Sequence, residues 1–388
     1  MTLATQAACT GCSACASICP RCAIAMKSNS EGFLRPSIDS SRCIECGLCR
    51  KTCPVLTITQ KNHDMPECFA FKTKNRELLQ TSSSGGAFTS IAMPVIRAGG
   101  AVFGCVMEKP DFTAHHVMAE NEAELAPLRG SKYVQSDIRG AFKKCKSELE
   151  RGRQILFSGT SCQIAGLKAF LGKGYANLLT VDFICHGVPS PAVWRKYIDR
   201  CQNRAKSKIS CIFFRNKYYS WEKFSLSLSY DNDKLNSITP LDQDTYFKCY
   251  LGNYCLRRSC AACMFKPGKG AVSDITIADF WGIKEVRPSF FDEHGVSAVV
   301  IHTTKGKQAF NCSKSNAEVI AVSLNEITLH NPSYAISVVL PKGRNLFMRY
   351  FRHVCSLELL LAIAKRYPFG AWFMSYLVRK ANNALGKI

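Results

Sequence analysis

Eight cysteines near the N-terminus repeat one spacing twice. The first run reads C-x2-C-x2-C-x3-C-P and comprises Cys9, Cys12, Cys15 and Cys19. The second run has the same spacing and comprises Cys43, Cys46, Cys49 and Cys53. A [4Fe-4S] cubane is held by four thiolates, and in such runs the cysteine beside the proline ligates the other cluster. The spacing therefore predicts two [4Fe-4S] clusters, with Cys53 completing the first and Cys19 completing the second.

Three other interpretations compete for these cysteines. Zinc sites made of four cysteines use well-separated C-x2-C pairs without the third cysteine and the proline. Disulfides need an oxidising compartment. Cys15, Cys19 and Cys22 also match the C-x3-C-x2-C loop of radical enzymes that cleave S-adenosylmethionine, but the first two already have ligand roles. We expect Cys22 to be a small buried apolar residue.

The double run resembles the bacterial two-cluster ferredoxin fold over roughly residues 1–60. The whole chain has 388 residues, enough for two or three domains. Its N-terminus lacks the features of a signal peptide, and no segment reaches the ~18–20 apolar residues of a membrane span. Together with 22 cysteines, these features predict a cytoplasmic protein with reduced thiols and bound metal.

The chain is strongly basic, with a formal net charge of +22. An oxidised cubane with four thiolates carries about −2, so two or three clusters would leave roughly +16 to +18. This excess favours an anionic partner, such as an acidic redox protein, an anionic small-molecule electron carrier or a membrane surface. Basic residues are spread along the chain and no base-reading motif is present, which argues against nucleic acid.

The segments after the cysteine runs alternate between strand and helix patterns, which predicts an α/β domain over residues 67–340 with a parallel or mixed sheet. Small residues precede two of the helices. Ser84, Gly85 and Gly86 lead into an apolar helix, and Gly159 and Thr160 follow a buried strand. Such turns place backbone N–H groups and a helix N-terminus where an anion can bind. An ordinary serine-capped helix explains the first turn equally well.

The last segment, residues 341–388, is basic and carries apolar residues at helical spacing. This pattern suits a helix lying on an anionic membrane surface at the inner face of the membrane. It suits equally a basic helical hairpin packed on its own domain. The predicted fold class is therefore α+β: an N-terminal ferredoxin-like dicluster domain, a larger α/β domain, which the family resemblance described next makes a flavin-binding domain, and a basic helical tail.

Several blocks of the α/β region together resemble the coenzyme F420 hydrogenase/dehydrogenase beta-subunit family. They read SSSGGAFTS, GSKYVQS, FSGTSCQIAGLKAFL, VDFICHGVPSP and CLRRSCAACMFK, followed by SDITIADFWG. The chain is most similar to bacterial members with a ferredoxin module in front. It departs from the family pattern at Ser161, where a proline is usual, and at Ala278, where a glycine is common.

The resemblance implies FAD, an additional [4Fe-4S] cluster and, in some relatives, coenzyme F420 as the two-electron partner. By match to the family's motifs, Ser84, Gly85 and Gly86 would hold the pyrophosphate, and Gly159 and Thr160 would line the same pocket. Ser131, Lys132 and Tyr133 would lie near the flavin. Lys132 is the candidate for the positive charge that favours the reduced flavin.

The implied third cluster needs four thiolates. Cys260 and Cys263 form a C-x2-C pair, and Cys162 and Cys185 follow adjacent predicted strands. We expect these four to meet at the edge of the sheet, with Cys255 in reserve.

The expected chemistry is an exchange of hydride at FAD, followed by single-electron transfer to the clusters, or the reverse. His186 and Asp279 are candidates for proton transfer, since a histidine titrates near neutral pH. A second hypothesis is a non-catalytic electron-transfer subunit that docks an acidic redox partner. A third is a binding module without flavin, in which the clusters only stabilise the fold. The sequence names neither the substrate nor the direction of electron flow.

Overall fold

A computed structural model describes residues 3–57, 62, 64–232 and 236–367. Its strands are β1 Ile24–Ser28, β2 Leu34–Ile38, β3 Glu67–Thr73, β4 Ala101–Glu108, β5 Thr113–Ala119, β6 Ile155–Ser158, β7 Leu178–Phe183, β8 Ile209–Asn216, β9 Ser225–Tyr230, β10 Asn236–Pro240, β11 Ile275–Asp279, β12 Ser297–Ile301 and β13 Ala317–Val322. Its α-helices are α1 Ala14–Ile18, α2 Leu48–Lys51, α3 Arg76–Thr81, α4 Ala87–Arg97, α5 Glu122–Leu125, α6 Ala141–Glu150, α7 Ser161–Leu171, α8 Pro191–Ala205, α9 Thr245–Leu251, α10 Ile283–Val286, α11 Thr304–Ser313, α12 Leu324–Thr328, α13 Arg344–Tyr350 and α14 Leu357–Arg366. Short 3-10 helices occupy Ala126–Leu128, Arg258–Ala262, Pro267–Lys269, Pro288–Phe290, Lys314–Asn316 and Pro332–Tyr334.

The N-terminal module has the two-fold layout that the repeated spacing predicts. The antiparallel hairpin of β1 and β2 lies between the two cysteine runs. Each run leads into one short helix, α1 or α2, and the two helices contact each other. This arrangement confirms the ferredoxin-like dicluster fold.

The larger domain is built on one eight-stranded mixed sheet in the order β13-β3-β12-β11-β7-β6-β4-β5. The four central strands β11, β7, β6 and β4 are parallel neighbours. β12 runs antiparallel to both β11 and β3, so β3 points the same way as the central strands. The carboxyl ends of β3, β6, β7 and β11 therefore meet at one edge of the sheet, which is where such sheets bind ligands.

Helices cover both faces of this sheet. The central strands place apolar side chains on both faces in alternation, so each face must be buried. Helices α4 and α11 pack on one face, where Leu156 and Val181 belong to the core. Helices α6 and α7 cover the other face, where Phe157 and Leu178 are buried. The cysteine module packs on α7, because α1 contacts that helix. The layering places the module beside the edge at which β6 and β7 end.

A second sheet of three antiparallel strands, β10-β9-β8, forms a separate lobe with α8 and α9. The sequence analysis does not single out β10, β5 or α3. These elements are short or pair only with a neighbour in sequence, so their local patterns are weak.

The described part of the tail packs on this lobe. Leu346, Phe347, Leu360 and Leu361 of α13 and α14 are buried in its core. The apolar face of these two helices is thus covered by the chain itself. Residues 368–388, which carry the rest of the predicted basic tail, lie outside the described residues. Among the described helices, none is long and apolar enough to cross a membrane.

Candidate iron–sulfur and cofactor sites

The thiols that the spacing assigns to the first cluster line one cavity. The cavity is lined by Cys9, Cys12, Cys15 and Cys53, together with apolar residues such as Met26. Burial, together with the nearby thiols of Cys9 and Cys53, raises the pKa of the Cys15 thiol to about 12. Iron binding would offset the cost of deprotonating these buried thiols, because iron supplies the positive charge that opposes the thiolates.

The thiols of the other set line a second cavity. It is lined by Cys19, Cys43, Cys46 and Cys49. The N–H of Ala23 donates to Cys19 Sγ at 3.3 Å. Among the described residues, no group of three or more Cys, His, Asp or Glu is close enough to hold a single metal ion. Four thiols that line one cavity instead fit a [4Fe-4S] cluster, which is held by four thiolates.

The backbone repeats as well as the cysteine spacing. In the first run Gly11 and Ser13 have positive φ, at 72° and 66°. The equivalent positions in the second run, Glu45 and Gly47, have φ of 53° and 75°. Left-handed residues at these positions turn successive N–H groups toward one side, which suits an anionic centre such as a thiolate cluster.

A third group of thiols comes together at the carboxyl edge of the large sheet. It comprises Cys162, Cys185, Cys260 and Cys263. Burial raises the pKa of Cys162 to about 12, and the adjacent thiols of Cys263 and Cys260 add to the shift. Burial also raises the pKa of Cys185, and the adjacent thiol of Cys260 raises it further. The N–H of Val188 donates to Cys260 Sγ at 3.3 Å. The reserve candidate Cys255 is buried beside Cys249 instead.

This third group touches the first. Cys12 packs on α7 at Gly166, one helical turn after Cys162, so Cys12 and Cys162 lie along one face of that helix. The Cys162 thiol is among the neighbours that raise the pKa of Cys12, after burial and Cys15. The three thiol groups therefore form a continuous series from the outer module to the edge of the large sheet.

Gly166→Val is expected to remove about four irons per chain by displacing Cys12. A Cβ at Gly166 would lie 2.9 Å from both Cβ and Sγ of Cys12. A glycine inside a helix costs roughly 1 kcal/mol of helix propensity relative to alanine, so replacing it does not weaken the helix itself. A loss of iron would therefore come from the contact with Cys12. Gly174→Val is the control, since nothing lies within 4 Å of its Cβ position. Full iron content in purified Gly166→Val would contradict this packing.

The loop before α4 is built by close backbone packing. A Cβ at Gly85 would lie 2.2 Å from the carbonyl oxygen of Phe71, so only glycine fits there. Gly86 begins α4 with φ of 85°. The Ser84 hydroxyl donates to the carbonyl of Val296 at 2.7 Å, so its side chain fixes the loop to the sheet.

Polar atoms near this helix start are buried without a hydrogen-bond partner among the described residues. They are Ser82 Oγ, Thr89 Oγ1 and Arg129 Nε. Ser83 Oγ accepts from both the N–H and the hydroxyl of Ser131, which joins two predicted segments. Unpaired donors beside the N-terminus of an eleven-residue helix fit a phosphate group.

Arg215 forms hydrogen bonds with several segments of this region. Its guanidinium, 3% exposed, makes a two-pronged ion pair with Asp279 at 2.8 and 3.0 Å. It also donates to the Ser83 carbonyl and the Tyr133 hydroxyl, both at 3.2 Å. Trp221 donates its indole N–H to Asp279 at 2.8 Å. One buried arginine thus connects three segments that the sequence analysis singled out separately.

Lys132 is held by backbone. Its ammonium donates to the carbonyls of Pro127, Leu128 and Arg129 at 2.6–2.9 Å. Burial lowers its pKa to about 8. Thr160 lies on the thiol side, with Oγ1 3.1 Å from Cys162 Sγ and a capping box at α7. A Cβ at Gly159 would lie 3.4 Å from His116 Nε2.

His186 and Asp279 do not meet. No hydrogen bond or ring contact joins them within the described ranges. His186 Nε2 lies 2.7 Å from Asn253 Oδ1, and its ring packs edge-on to Tyr250 at 5.3 Å. Burial lowers the pKa of His186. Tyr250 also packs on Tyr133 at 5.0 Å, so aromatic rings link the His186 loop to the Arg215 region.

The sequence analysis missed Arg215, Lys217, Trp221 and Tyr250. The one local signal for Arg215 is a charged residue inside an apolar strand, IFFRN. Cys22 is a correction: we expected it to be buried, but it is exposed, and φ of 48° turns it out of the fold. Cys15 and Cys19 line different cavities, so the radical-enzyme triplet does not assemble.

Comparisons with known proteins agree with this architecture. Residues 8–56 match the family model of the 4Fe-4S dicluster domain. Residues 152–326 match the family model for the C terminus of the coenzyme F420 hydrogenase/dehydrogenase beta subunit. No curated protein matches the chain.

One solved structure that aligns with the chain is a xenon derivative of the F420-reducing [NiFe] hydrogenase complex from Methanosarcina barkeri. The alignment has 14% identity and a TM-score of 0.48, and it covers 72% of this chain and 89% of that one. The two family matches identify the chain as an electron-transfer iron–sulfur protein in which a 4Fe-4S dicluster domain is joined to a region of the coenzyme F420 hydrogenase/dehydrogenase beta-subunit family.

Proposed function

We propose that this protein is an iron–sulfur flavoprotein oxidoreductase that passes electrons between a two-electron organic partner and its [4Fe-4S] clusters through FAD. The observation that carries the proposal is the position of the third thiol group. Its members adjoin Cys12 of the ferredoxin module on one side. On the other side Tyr250 adjoins both Cys185 and Tyr133. A redox site placed there connects the module with the polar edge of the sheet.

Residues of this edge would hold FAD. The backbone of Gly86 and Ala87, with the unpaired atoms of Ser82 and Arg129, would bind the pyrophosphate. When bound, FAD would exchange a hydride with the organic partner and single electrons with the clusters. The third set of thiols would hold a further [4Fe-4S] cluster.

The protein's own residues would orient and shield the reaction. Arg215 holds Asp279 and Tyr133 in fixed positions at the sheet edge. Trp281 stacks on Trp221 at 4.9 Å, and Trp221 donates its indole N–H to the Asp279 carboxylate. Asp279 is the candidate for proton transfer at this edge, because its side chain is 18% exposed and so reaches solvent. His186, on the thiol side, is the candidate for relaying a proton near Tyr250.

The organic partner is a deazaflavin coenzyme or an anionic metabolite of similar chemistry. The formal charge of +22 favours an anion, and clusters with a flavin diphosphate leave a large positive excess. Either partner donates or accepts two electrons together, which the iron–sulfur centres alone cannot do.

The test is the cofactor content of anaerobically purified protein. We expect about twelve irons, about twelve sulfides and one FAD per chain. Rapid mixing with reduced deazaflavin coenzyme should then bleach the flavin absorbance and reduce the clusters. About eight irons without flavin would overturn the proposal and leave an electron-transfer subunit for an acidic redox protein. Twelve irons and FAD without turnover would exclude this coenzyme as the partner.

Lys217 makes FAD affinity dependent on pH. Its ammonium donates to the carbonyls of Leu79 at 2.7 Å and Ser84 at 3.2 Å, beside the proposed phosphate site. Burial, and then Arg215, lower its pKa to about 7. The charged form prevails below this pH and favours an anion, so affinity should fall roughly tenfold as pH rises from 6 to 9.

Fluorescence titration of the flavin at several pH values measures this effect. Lys217→Met should bind FAD more weakly and without the pH dependence. Lys307→Met is the matched control, because that exposed lysine pairs with Glu67 on the surface. A pH dependence that persists in Lys217→Met would rule out this lysine as its source.

A further inference from the structure

One buried arginine reaches from the large domain into the ferredoxin module. Arg257 is 3% exposed. Its Nε donates to the carbonyl of Cys9 at 2.8 Å, and its Nη2 donates to the carbonyl of Leu34 at 3.0 Å. The same Nη2 lies 3.8 Å from Cys9 Sγ. The guanidinium therefore lies directly beside a proposed ligand of the first cluster.

The same arginine is anchored in the loop of the third thiol group. Its N–H donates to the carbonyl of Val188 at 2.9 Å, and the N–H of Val188 donates to Cys260 Sγ. The positive charge interacts with the thiols of Cys9, Cys260 and Cys162. Nη1 is buried and has no hydrogen-bond partner within the described residues, so it is free to donate to a cluster sulfur.

We propose that Arg257 is a shared positive charge that raises the reduction potentials of two clusters together, the one held by the Cys9 set and the one held by the Cys260 set. The proposal rests on the third cluster of the proposed function. It makes Arg257 a positioning residue for electron transfer, because its charge acts on both centres between which an electron passes from module to domain.

The physical reason is electrostatic. Adding one electron takes a cubane with four thiolates from about −2 to about −3 overall, with no bond made or broken. A nearby cation stabilises the reduced form more than the oxidised form, and burial strengthens this difference because water cannot screen it. Arginine supplies a charge that persists in a buried site, since it does not lose its proton in proteins.

Two other buried cations provide matched comparisons. Lys266 donates to the carbonyl of Cys185, and its charge acts on Cys185 and Cys260, which both belong to the third thiol group. Arg344 is 1% exposed and joins the same two domains, donating to the Leu256 carbonyl at 2.9 Å and to Glu31 at 2.7 Å. It contacts none of the proposed ligands. Lys266 therefore tests the effect of a charge on one cluster alone. Arg344 tests the effect of losing a buried contact between the two domains. Neither variant should shift the potentials of two clusters together.

The experiment is an anaerobic redox titration followed by electron paramagnetic resonance on the full-length protein and four variants. The variants are Arg257→Gln, Arg257→Lys, Lys266→Gln and Arg344→Gln. Signals are assigned by their loss in Cys53→Ser, Cys19→Ser and Cys260→Ser. Iron content and thermal unfolding are recorded for each protein.

Arg257→Gln should lower the potentials of the Cys9 and Cys260 clusters and leave that of the Cys19 cluster unchanged. Arg257→Lys should restore part of the shift, because it keeps the charge. Lys266→Gln should move only the Cys260 cluster, and Arg344→Gln should lower stability without moving any potential.

Unchanged potentials in Arg257→Gln, or equal shifts in Arg344→Gln, would overturn the proposal. Iron loss in both Arg257 variants, with Arg344→Gln intact, would also overturn it and make Arg257 an assembly residue. Wild-type protein with only about eight irons would instead remove the proposed function itself.

Discussion

Replacing Cys260 with serine is expected to remove about four of twelve irons per chain and to stop electron transfer between the ferredoxin module and the large domain. Cys260 Sγ accepts from the Val188 N–H and lies beside the thiols of Cys185 and Cys263. A serine hydroxyl binds iron poorly at neutral pH, so the third cluster should not assemble. The remaining eight irons should persist, because their cavities belong to a different part of the chain.

Iron and sulfide analysis and rapid mixing with a hydride donor measure the two effects. Flavin reduction should continue in Cys260→Ser while reduction of the remaining clusters falls by orders of magnitude. Cys255→Ser is the matched control, since Cys255 is also buried but neighbours Cys249. Full iron in Cys260→Ser with iron loss in Cys255→Ser would mean that the ligand set is assigned incorrectly.

Arg215→Met is expected to abolish FAD retention and to lower the free energy of unfolding by about 3–5 kcal/mol. The change leaves the Asp279 carboxylate without its cation in a site where Arg215 is 3% and Asp279 is 18% exposed. It also removes the bonds to the Ser83 carbonyl and the Tyr133 hydroxyl, which fix the proposed cofactor edge. Denaturant unfolding and flavin content provide the two readings.

A double variant separates the contribution of this ion pair to stability from its contribution to FAD retention. Arg215→Met with Asp279→Asn removes both charges, so it should recover much of the stability without recovering FAD. Arg139→Met is the surface control: its ion pair with Glu108 is exposed, and its loss should cost less than about 1 kcal/mol. Recovery of FAD in the double variant would show that Arg215 serves the fold alone.

The cysteine repeats show how far local spacing can predict a site. Three thiols within seven residues can reach one cluster without help from distant chain, so the Cys9 and Cys43 runs imply their cavities directly. The positive φ values at Gly11 and Gly47 belong to the same local winding. The alternation of strands and helices similarly predicts the mixed sheet, because burial on both faces imposes continuous apolar strands.

The edge of the large sheet shows where such reasoning ends. Arg215 comes from the small three-stranded sheet and Asp279 from the end of β11, so nothing in either local sequence indicates their pairing. The contact of Arg257 is equally invisible in the local sequence, because its partner Cys9 is 248 residues away.

The sequence by itself determined the two cluster loops and the alternation of strands and helices in the core, because each depends on residues that are near neighbours in the chain. Only the tertiary structure decided that Cys12 rests on α7 beside Cys162, that Arg215 joins Ser83, Tyr133 and Asp279, and that Arg257 bridges two thiol groups. The physical reason is that strand order and domain packing fix these distances, and both arise from burial summed over the whole fold.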